Sequence, residues 1–155
     1  MAVDRPRYPA ALAAVIEDFE QLIDRYERAD LLVHYAGQFK PVPEWIAAPP
    51  YPEEHRVPAC ESEAFVWVVE QPDRTLKLYF AVENPQGLSA MALAAILDQT
   101  LSGQPPEQVA RVSPEIVFDL FGSDLSMGKG QGLTSMVAMV QNLARQHLIS
   151  SPRSW

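Results

Sequence analysis

The residues best suited to chemistry in this chain lie at positions 55–63, around its single cysteine, Cys60. A thiolate is a strong nucleophile that takes part readily in sulfur exchange. Pro58 restrains the backbone before the cysteine, and polar residues 61–63 follow it before the apolar segment 64–69 begins. This placement predicts that Cys60 lies at the tip of a loop. The alternative is an inert side chain packed beneath the loop, since unpaired cysteines are among the most buried residue types.

The sequence neighbours of Cys60 carry charges of both signs. His55 and Arg56 are the basic neighbours, and the acidic ones are Glu53, Glu54, Glu61 and Glu63. Nearby cations favour a thiolate, whereas nearby carboxylates oppose it. We therefore expect a thiol that is not strongly activated in the isolated chain, which protects it from oxidation.

The stretch around Cys60 resembles the signature of the SufE family of sulfur-acceptor proteins, which includes the CsdE proteins. The matching positions are Arg56, Val57, Pro58, Cys60, Ser62 and the segment Phe65-Val66-Trp67-Val68. Further likenesses extend the resemblance from about residue 10 to residue 147. They lie at Tyr26 to Gln38, at Pro106-Glu107-Gln108-Val109 and at Leu125 to Leu133. Their order and spacing together carry the resemblance.

The resemblance implies that Cys60 takes sulfane sulfur from the persulfide of a cysteine desulfurase, stimulates that enzyme and passes the sulfur to iron–sulfur cluster assembly. The implied partners are a desulfurase similar to SufS or CsdA and an iron–sulfur scaffold complex as the recipient. Residues expected to bind the partner or support the loop are Arg56, Val57, Pro58, Ala59, Glu61, Ser62 and Lys129. We expect no cofactor or metal in this chain, because the pyridoxal phosphate belongs to the desulfurase. The expected protein is a covalent carrier without independent turnover, as a monomer or weak dimer.

Three positions depart from the family pattern. Ala59 stands where the family has glycine, so the backbone before the thiol is less free to adopt a positive φ. Lys129 replaces an arginine, which keeps the charge but loses the planar, two-pronged hydrogen-bonding geometry. The family's acidic turn is blurred around Glu83, Asn84 and Gln86, so no acidic partner is assigned to the basic residue.

Chain length, composition and net charge limit the class of protein. The chain has 155 residues, 48% of them hydrophobic, which suits one domain over residues 1–155 with a sizeable core. One cysteine excludes an intramolecular disulfide and any Cys-rich zinc or iron–sulfur site within the chain. A formal net charge of −8 opposes binding to nucleic acid.

The N-terminus and the apolar runs suggest a location. The charged residues at the start of the chain are not followed by the apolar core of a signal peptide. The longest apolar run falls far short of the about 20 residues that span a bilayer. We therefore expect a cytoplasmic protein without a membrane partner, with loose tails at residues 1–8 and 149–155.

Apolar periodicity in the first half of the chain predicts two helices and a loop. A buried stripe runs from Leu12 to Tyr26 after Pro9, and Asp24 is placed to cap a second helix. Six prolines between positions 40 and 58 exclude a long regular element and predict an ordered loop. The loop's apolar side chains, Trp45, Ile46 and Tyr51, are expected to be buried.

The second half predicts a hairpin followed by helices. Segments 64–69 and 75–82 are rich in β-branched and aromatic residues and flank a turn at 71–74, which predicts an antiparallel pair. Residues 88–101 predict a central apolar helix, 113–122 a short one, and Leu133 onward a final one. The expected fold is α+β, with a small antiparallel sheet of about three strands packed against several α-helices.

The glycine-rich segment from Gly122 to Lys129 does not match a phosphate-binding loop. Five residues rather than four separate Gly122 from the pair Gly128-Lys129, and Gly130 stands where that loop needs Ser or Thr. We therefore expect Gly128, Gly130 and Gly132 to form a flexible approach to the last helix. Lys129 is then either a cation near the thiol or the partner, or an exposed solubilising lysine.

Two other functions are compatible with the sequence. Cys60 is the nucleophile of a stand-alone thiol hydrolase or peroxidase in one of them, with His34, His55 or His147 as its base. No Asn or Asp that would orient such a base is identifiable. In the other, the chain is an adaptor that stimulates a desulfurase by contact alone, without receiving sulfur.

Overall fold

The computed structural model describes residues 8–123 and 125–150, the last two by their backbone alone. The helices are α1 (Ala10–Glu20), α2 (Arg25–Ala36), α3 (Leu88–Leu101), α4 (Pro106–Val109), α5 (Ile116–Phe121) and α6 (Met127–Ser150). The strands are β1 (Ala64–Glu70) and β2 (Leu76–Val82), and a 3₁₀ turn lies at Glu53–His55. The predicted α+β class, with helices packed on a small antiparallel sheet, is confirmed.

The sheet is a two-stranded antiparallel hairpin in the part of the chain that is described, so the prediction of about three strands is slightly wrong. The segment that comes nearest to a third strand makes an isolated bridge between Pro41 and Phe80. Val42 donates its N–H to the carbonyl oxygen of Phe80 at 2.8 Å. Pro41 and Pro43 have no N–H to give, so the ladder cannot continue on either side of Val42.

The two faces of the hairpin are covered by different parts of the chain. One face carries Ala64 and Val66 of β1 and packs into the main core with the helices. The other face carries Phe65 and Trp67, which are covered by the proline-rich loop through Tyr51. Because residues alternate across a strand, each side chain of β1 belongs to one cover or the other.

Helices α3 and α6 pack against the face of the hairpin that carries Ala64 and Val66. Helix α3 packs against β2, α1 and α2, and α6 packs against β1, α4 and α5. The bounds of α3 agree with the predicted segment 88–101, and most of its residues are buried. Gly103, with φ of 92°, follows the end of this helix in the left-handed region that glycine tolerates.

The apolar stripe predicted for the first helix extends beyond the helix itself. Leu12, Ile16 and Phe19 are buried as expected, but α1 ends at Glu20. Ile23 is 99% exposed and Tyr26 is 67% exposed. Asp24 accepts a hydrogen bond from the N–H of Tyr26 and starts α2 in a new direction, so the periodicity no longer refers to one helix axis.

Two further expectations are corrected. Trp45 is 76% exposed and meets Tyr79 edge-on with 6.0 Å between ring centroids, because Tyr51 already covers the outer face of β1. Gly128, Gly130 and Gly132 belong to α6, whose first turn is capped by Ser126 accepting from the N–H of Lys129 at 3.3 Å. Capping and packing outweigh the low helix propensity of glycine there.

The predicted loose tails fall mostly outside the described residues. Tyr8 is described and packs against the main core, and the backbone of residues 149 and 150 continues α6. Among the described residues, no helix is both long enough and apolar enough to cross a membrane.

Candidate functional site

Cys60 lies near the tip of a short loop, defined here as the thiol loop, residues 58–63. Its base is closed by an antiparallel bridge between Arg56 and Phe65 and by the Val57 N–H, which donates to the carbonyl oxygen of Ala64 at 2.8 Å. Within the loop, Glu63 donates its N–H to the carbonyl oxygen of Cys60 at 3.3 Å. The thiol loop is therefore compact and closed at its base by backbone pairing, and it is not an open coil.

The near side of the thiol loop is anchored by residues that precede it. Val57 is 1% exposed and belongs to the main core. Arg56 donates through Nε and Nη2 to the two carboxylate oxygens of Glu53 at 2.9 and 3.1 Å. This hydrogen bond lowers the pKa of the Glu53 carboxyl below its ordinary value and raises the pKa of the Arg56 guanidinium.

The far side of the thiol loop is fastened to the end of β2. The N–H of Glu83 donates to the carbonyl oxygen of Glu63 at 3.1 Å, and that of Asn84 donates to the carbonyl oxygen of Ser62 at 3.2 Å. The Asn84 side chain also donates through Nδ2 to the carbonyl oxygen of Glu61 at 3.5 Å. Asn84 was not among the predicted site residues. Its signal in the sequence is the turn that it starts, in which Oδ1 accepts from the Gln86 N–H.

Two glycines lie in close contact with the thiol loop. A Cβ atom on Gly132 of α6 would stand 3.0 Å from the carbonyl oxygen of Ala59 and 3.1 Å from the Cα of Cys60. A Cβ atom on Gly87, just before α3, would stand 2.9 Å from the Cβ and Oγ of Ser62. The loop thus lies between two helices at the points where neither has a side chain.

The backbone of the thiol loop is strained on both sides of the cysteine. Ala59 has φ of 57° and Glu63 has φ of 54°, both in the left-handed region. Such a conformation costs a non-glycine residue about 1–2 kcal/mol. Alanine at position 59 therefore does not prevent the positive φ, but it makes the conformation less favourable than glycine would.

A small cleft of about 80 Å³ opens beside the cysteine. Its walls include Cys60, Glu61, Ser62, Leu88, Lys129 and Leu133. Cys60 is half-buried and Lys129 is exposed. The structure therefore brings four of the predicted residues together, namely Cys60, Glu61, Ser62 and Lys129.

The remaining predicted residues are placed elsewhere. Arg56 and Pro58 line a separate, open groove between the approach to the loop and α6. Val57 is buried beneath the loop, and Ala59 is exposed on it. These four support or flank the loop and do not line the cleft.

The three histidines do not form a base for Cys60. His55 donates through Nδ1 to the carbonyl oxygen of Val66 at 2.9 Å and stacks on Trp67. His147 donates through Nε2 to the carbonyl oxygen of Val68 at 2.9 Å, and the exposed His34 hydrogen-bonds with Gln38 at 2.8 Å. None of the three lines the cleft. Nor do the described residues include a group of three or more His, Cys, Asp or Glu placed to hold a metal.

Comparison with known proteins agrees with this architecture. A solution structure of a hypothetical protein from Thermus thermophilus superposes with a TM-score of 0.73 and 26% sequence identity, and covers 93% of this chain and 100% of that one. The Plasmodium vivax protein named "Cysteine desulfuration protein SufE" is 35% identical over 69 residues, which are 44% of this chain and 28% of the relative.

A second curated relative matches a longer stretch. The Arabidopsis thaliana "SufE-like protein 1, chloroplastic/mitochondrial" is 24% identical over 137 residues, which are 88% of this chain and 35% of the relative. The chain therefore spans about a third or less of the length of these two relatives. The family model described as "SufE: Fe-S metabolism associated domain" matches residues 13–144. The chain therefore belongs to the SufE family, whose domain is described as associated with iron–sulfur metabolism.

Proposed function

We propose that this chain is a sulfur carrier: Cys60 accepts sulfane sulfur from the persulfide of a cysteine desulfurase, and the loaded chain delivers that sulfur to iron–sulfur cluster assembly. The desulfurase, with its pyridoxal phosphate, carries out the carbon–sulfur cleavage. The chain itself serves as the acceptor and has no independent turnover.

The proposed transfer balances without an outside oxidant or reductant. The Cys60 thiol gives its proton to solvent, and its sulfur attacks the outer sulfur of the donor persulfide. A sulfur–sulfur bond forms on Cys60 while the donor's sulfur–sulfur bond breaks, and the electron pair of that bond stays on the donor cysteine. The donor thiolate then takes up a proton from solvent. One sulfane sulfur has moved between two thiols.

The observation that carries the proposal is the setting of Cys60 in a SufE-family chain. A half-buried thiol near the tip of a loop can reach another protein only if the loop presents it, and the loop is fixed at its base while its tip rests between two helices. Lys129 lines the same cleft as Cys60 and places a cationic side chain where a partner would approach the thiol.

The size of the cleft supports a movement of the thiol loop during transfer. A volume of about 80 Å³ holds only a few water molecules and does not admit a segment of another protein. Leu88, which is 52% exposed, stands at its wall and offers apolar surface for a docked partner. We expect the desulfurase to dock there and the loop to extend into its active site.

The test of the proposal is the intact mass of the chain after incubation with a cysteine desulfurase and cysteine. We expect a gain of one sulfur atom that is lost on reduction, and no gain in Cys60→Ser. The absence of a gain in the wild-type chain, under conditions in which the desulfurase turns over, would overturn the proposal.

The same variant separates the carrier from an adaptor that acts by contact. A carrier with Cys60→Ser should still bind the desulfurase but no longer stimulate it, whereas an adaptor would stimulate it normally. Alkylation of Cys60 tests the docking step, since we expect a faster rate when the desulfurase is present. A rate that is already fast and does not depend on the partner would contradict docking-dependent exposure.

A further inference from the structure

We infer that Gly132 is the positioning residue of the thiol loop: because it has no side chain, Ala59 and Cys60 can lie directly against α6, and this contact keeps the loop docked. The inference deepens the proposed function, on which its biological meaning rests. It assigns to one glycine the control of how often the thiol is exposed.

A methyl group on Gly132 would press on the thiol loop more tightly than most Cβ contacts do. A Cβ on Gly132 would lie 3.0 Å from the carbonyl oxygen of Ala59, 3.1 Å from the Cα of Cys60 and 3.5 Å from its Cβ. The two shortest distances are below ordinary van der Waals separation, and both involve backbone atoms. A side chain could rotate away, but backbone atoms move only if the loop itself moves.

The thiol loop is held in this position against backbone strain. Ala59 and Glu63 are both in the left-handed region, which L-residues adopt unfavourably. Beyond the fixed base of the loop, its far side is held by the N–H groups of Glu83 and Asn84. A docked conformation under such strain is sensitive to the loss of one packing contact.

Helix α6 supplies a matched control two residues away. A Cβ on Gly130 would meet only the Cβ of Leu125, at 3.9 Å, which is an ordinary contact. Gly132→Ala and Gly130→Ala both replace a glycine within the same helix, so both gain helix propensity. They differ in whether the new methyl group presses on the thiol loop.

The decisive measurement is the alkylation rate of Cys60 by iodoacetamide in the isolated chain, without a desulfurase. We expect Gly132→Ala to react about fivefold faster or more than the wild type, because overpacking destabilises the docked loop and the thiol is then exposed more often. Gly130→Ala should react at the wild-type rate. Equal rates in the wild type and Gly132→Ala would overturn the inference.

Hydrogen exchange separates local release of the loop from general instability. In Gly132→Ala, the amides of Glu63 and Asn84 should exchange faster, since their acceptors are the loop carbonyls of Cys60 and Ser62. The amides that pair β1 with β2 should keep their wild-type rates. If the β1–β2 amides exchanged faster by the same factor as the amides of Glu63 and Asn84, the faster alkylation would be due to global opening. That result would refute the role of Gly132.

These measurements do not depend on sulfur transfer. If the chain gained no sulfur from a desulfurase, the proposed function would fail while the alkylation result for Gly132→Ala still stood. If sulfur were gained but alkylation did not respond to Gly132→Ala, the carrier role would stand and the positioning role would fail.

Discussion

The guanidinium carbon of Arg56 lies 4.7 Å from the centroid of the Phe65 ring, across the bridge that closes the base of the thiol loop. The same guanidinium reaches both carboxylate oxygens of Glu53. Such a planar, two-pronged pairing combined with ring stacking requires arginine, because a lysine ammonium cannot provide it. The near end of the loop is therefore fixed by contacts that do not involve its tip.

The Glu53 carboxyl should titrate with a pKa below 4.5, because the hydrogen bond from Arg56 stabilises its ionised form. A pKa lowered by folding means that the pair stabilises the folded chain above the ordinary pKa, and that this contribution is lost as the pH falls through the folded-state pKa. A carbon-13 NMR titration of the Glu53 carboxyl measures the midpoint. In Arg56→Gln the pKa should return towards 4.5, and an unchanged midpoint in that variant would contradict the assignment.

Ala59→Gly should raise the free energy of unfolding by up to about 1 kcal/mol. Glycine removes the cost of the left-handed backbone, but it also gains freedom in the unfolded chain, which offsets part of the gain. The variant should also slow alkylation of Cys60, because it relieves the strain of the docked loop. Chemical denaturation and iodoacetamide labelling measure the two effects.

Arg74→Gly is the matched control for Ala59→Gly. Arg74 has φ of 71° in the turn between β1 and β2, outside the thiol loop. It should give a stability gain of the same kind and leave the alkylation rate unchanged. Equal slowing of alkylation in both variants would show that the effect on the thiol is global.

Lys129→Ala should slow sulfur transfer from the desulfurase by roughly threefold, a modest factor because the lysine is exposed and screened by solvent. Lys129→Arg should retain the wild-type rate, since it keeps the charge at the cleft. Lys40→Ala removes the same charge from an exposed lysine that does not line the cleft, and should have no effect. Single-turnover transfer followed by mass spectrometry, at low and high salt, gives the rates. Equal slowing in Lys129→Ala and Lys40→Ala would point to net charge alone.

His147→Ala should lower the free energy of unfolding by about 1 kcal/mol, because the carbonyl oxygen of Val68 loses its donor. It should leave the alkylation rate of Cys60 and the pH profile of that rate unchanged. A thiol hydrolase or peroxidase that used this histidine as its base would instead lose reactivity near neutral pH. Denaturant unfolding and labelling across a pH series distinguish the two.

The elements that were predicted correctly are those whose sequence signals are local. The all-round apolar segment 88–101 matches α3 in its bounds, and the two β-rich segments form the predicted antiparallel pair. The prediction that Ile23 and Tyr26 are buried was wrong, because the spacing of apolar residues does not show where one helix ends and the next begins in a new direction. The strand number was slightly wrong, because the described segment nearest to a third strand makes one isolated bridge and the prolines beside Val42 lack the N–H groups to extend it.

The site was predicted in the chain segment around Cys60 and, through the family resemblance, at Lys129. Cys60 near a loop tip, and Lys129 as a cation in its vicinity, follow from the residues and from the family resemblance. The sequence did not predict Gly132, Gly87 or Asn84 as site residues. Each of them contacts the thiol loop from a part of the chain that is distant in sequence. A glycine in a sequence indicates freedom of the backbone, and it does not reveal that another segment lies where its side chain would be.

The amino-acid order alone determined that this chain carries one thiol, that prolines and polar residues set it in a loop, and that a hairpin and apolar helices surround it. Only the tertiary structure decided that the loop rests against Gly132, that its far side is tied to Asn84, and that Lys129 shares its cleft. Propensity and periodicity act over a few residues. The position of the thiol depends instead on how α3 and α6 pack against the hairpin, which joins residues that are far apart in the chain.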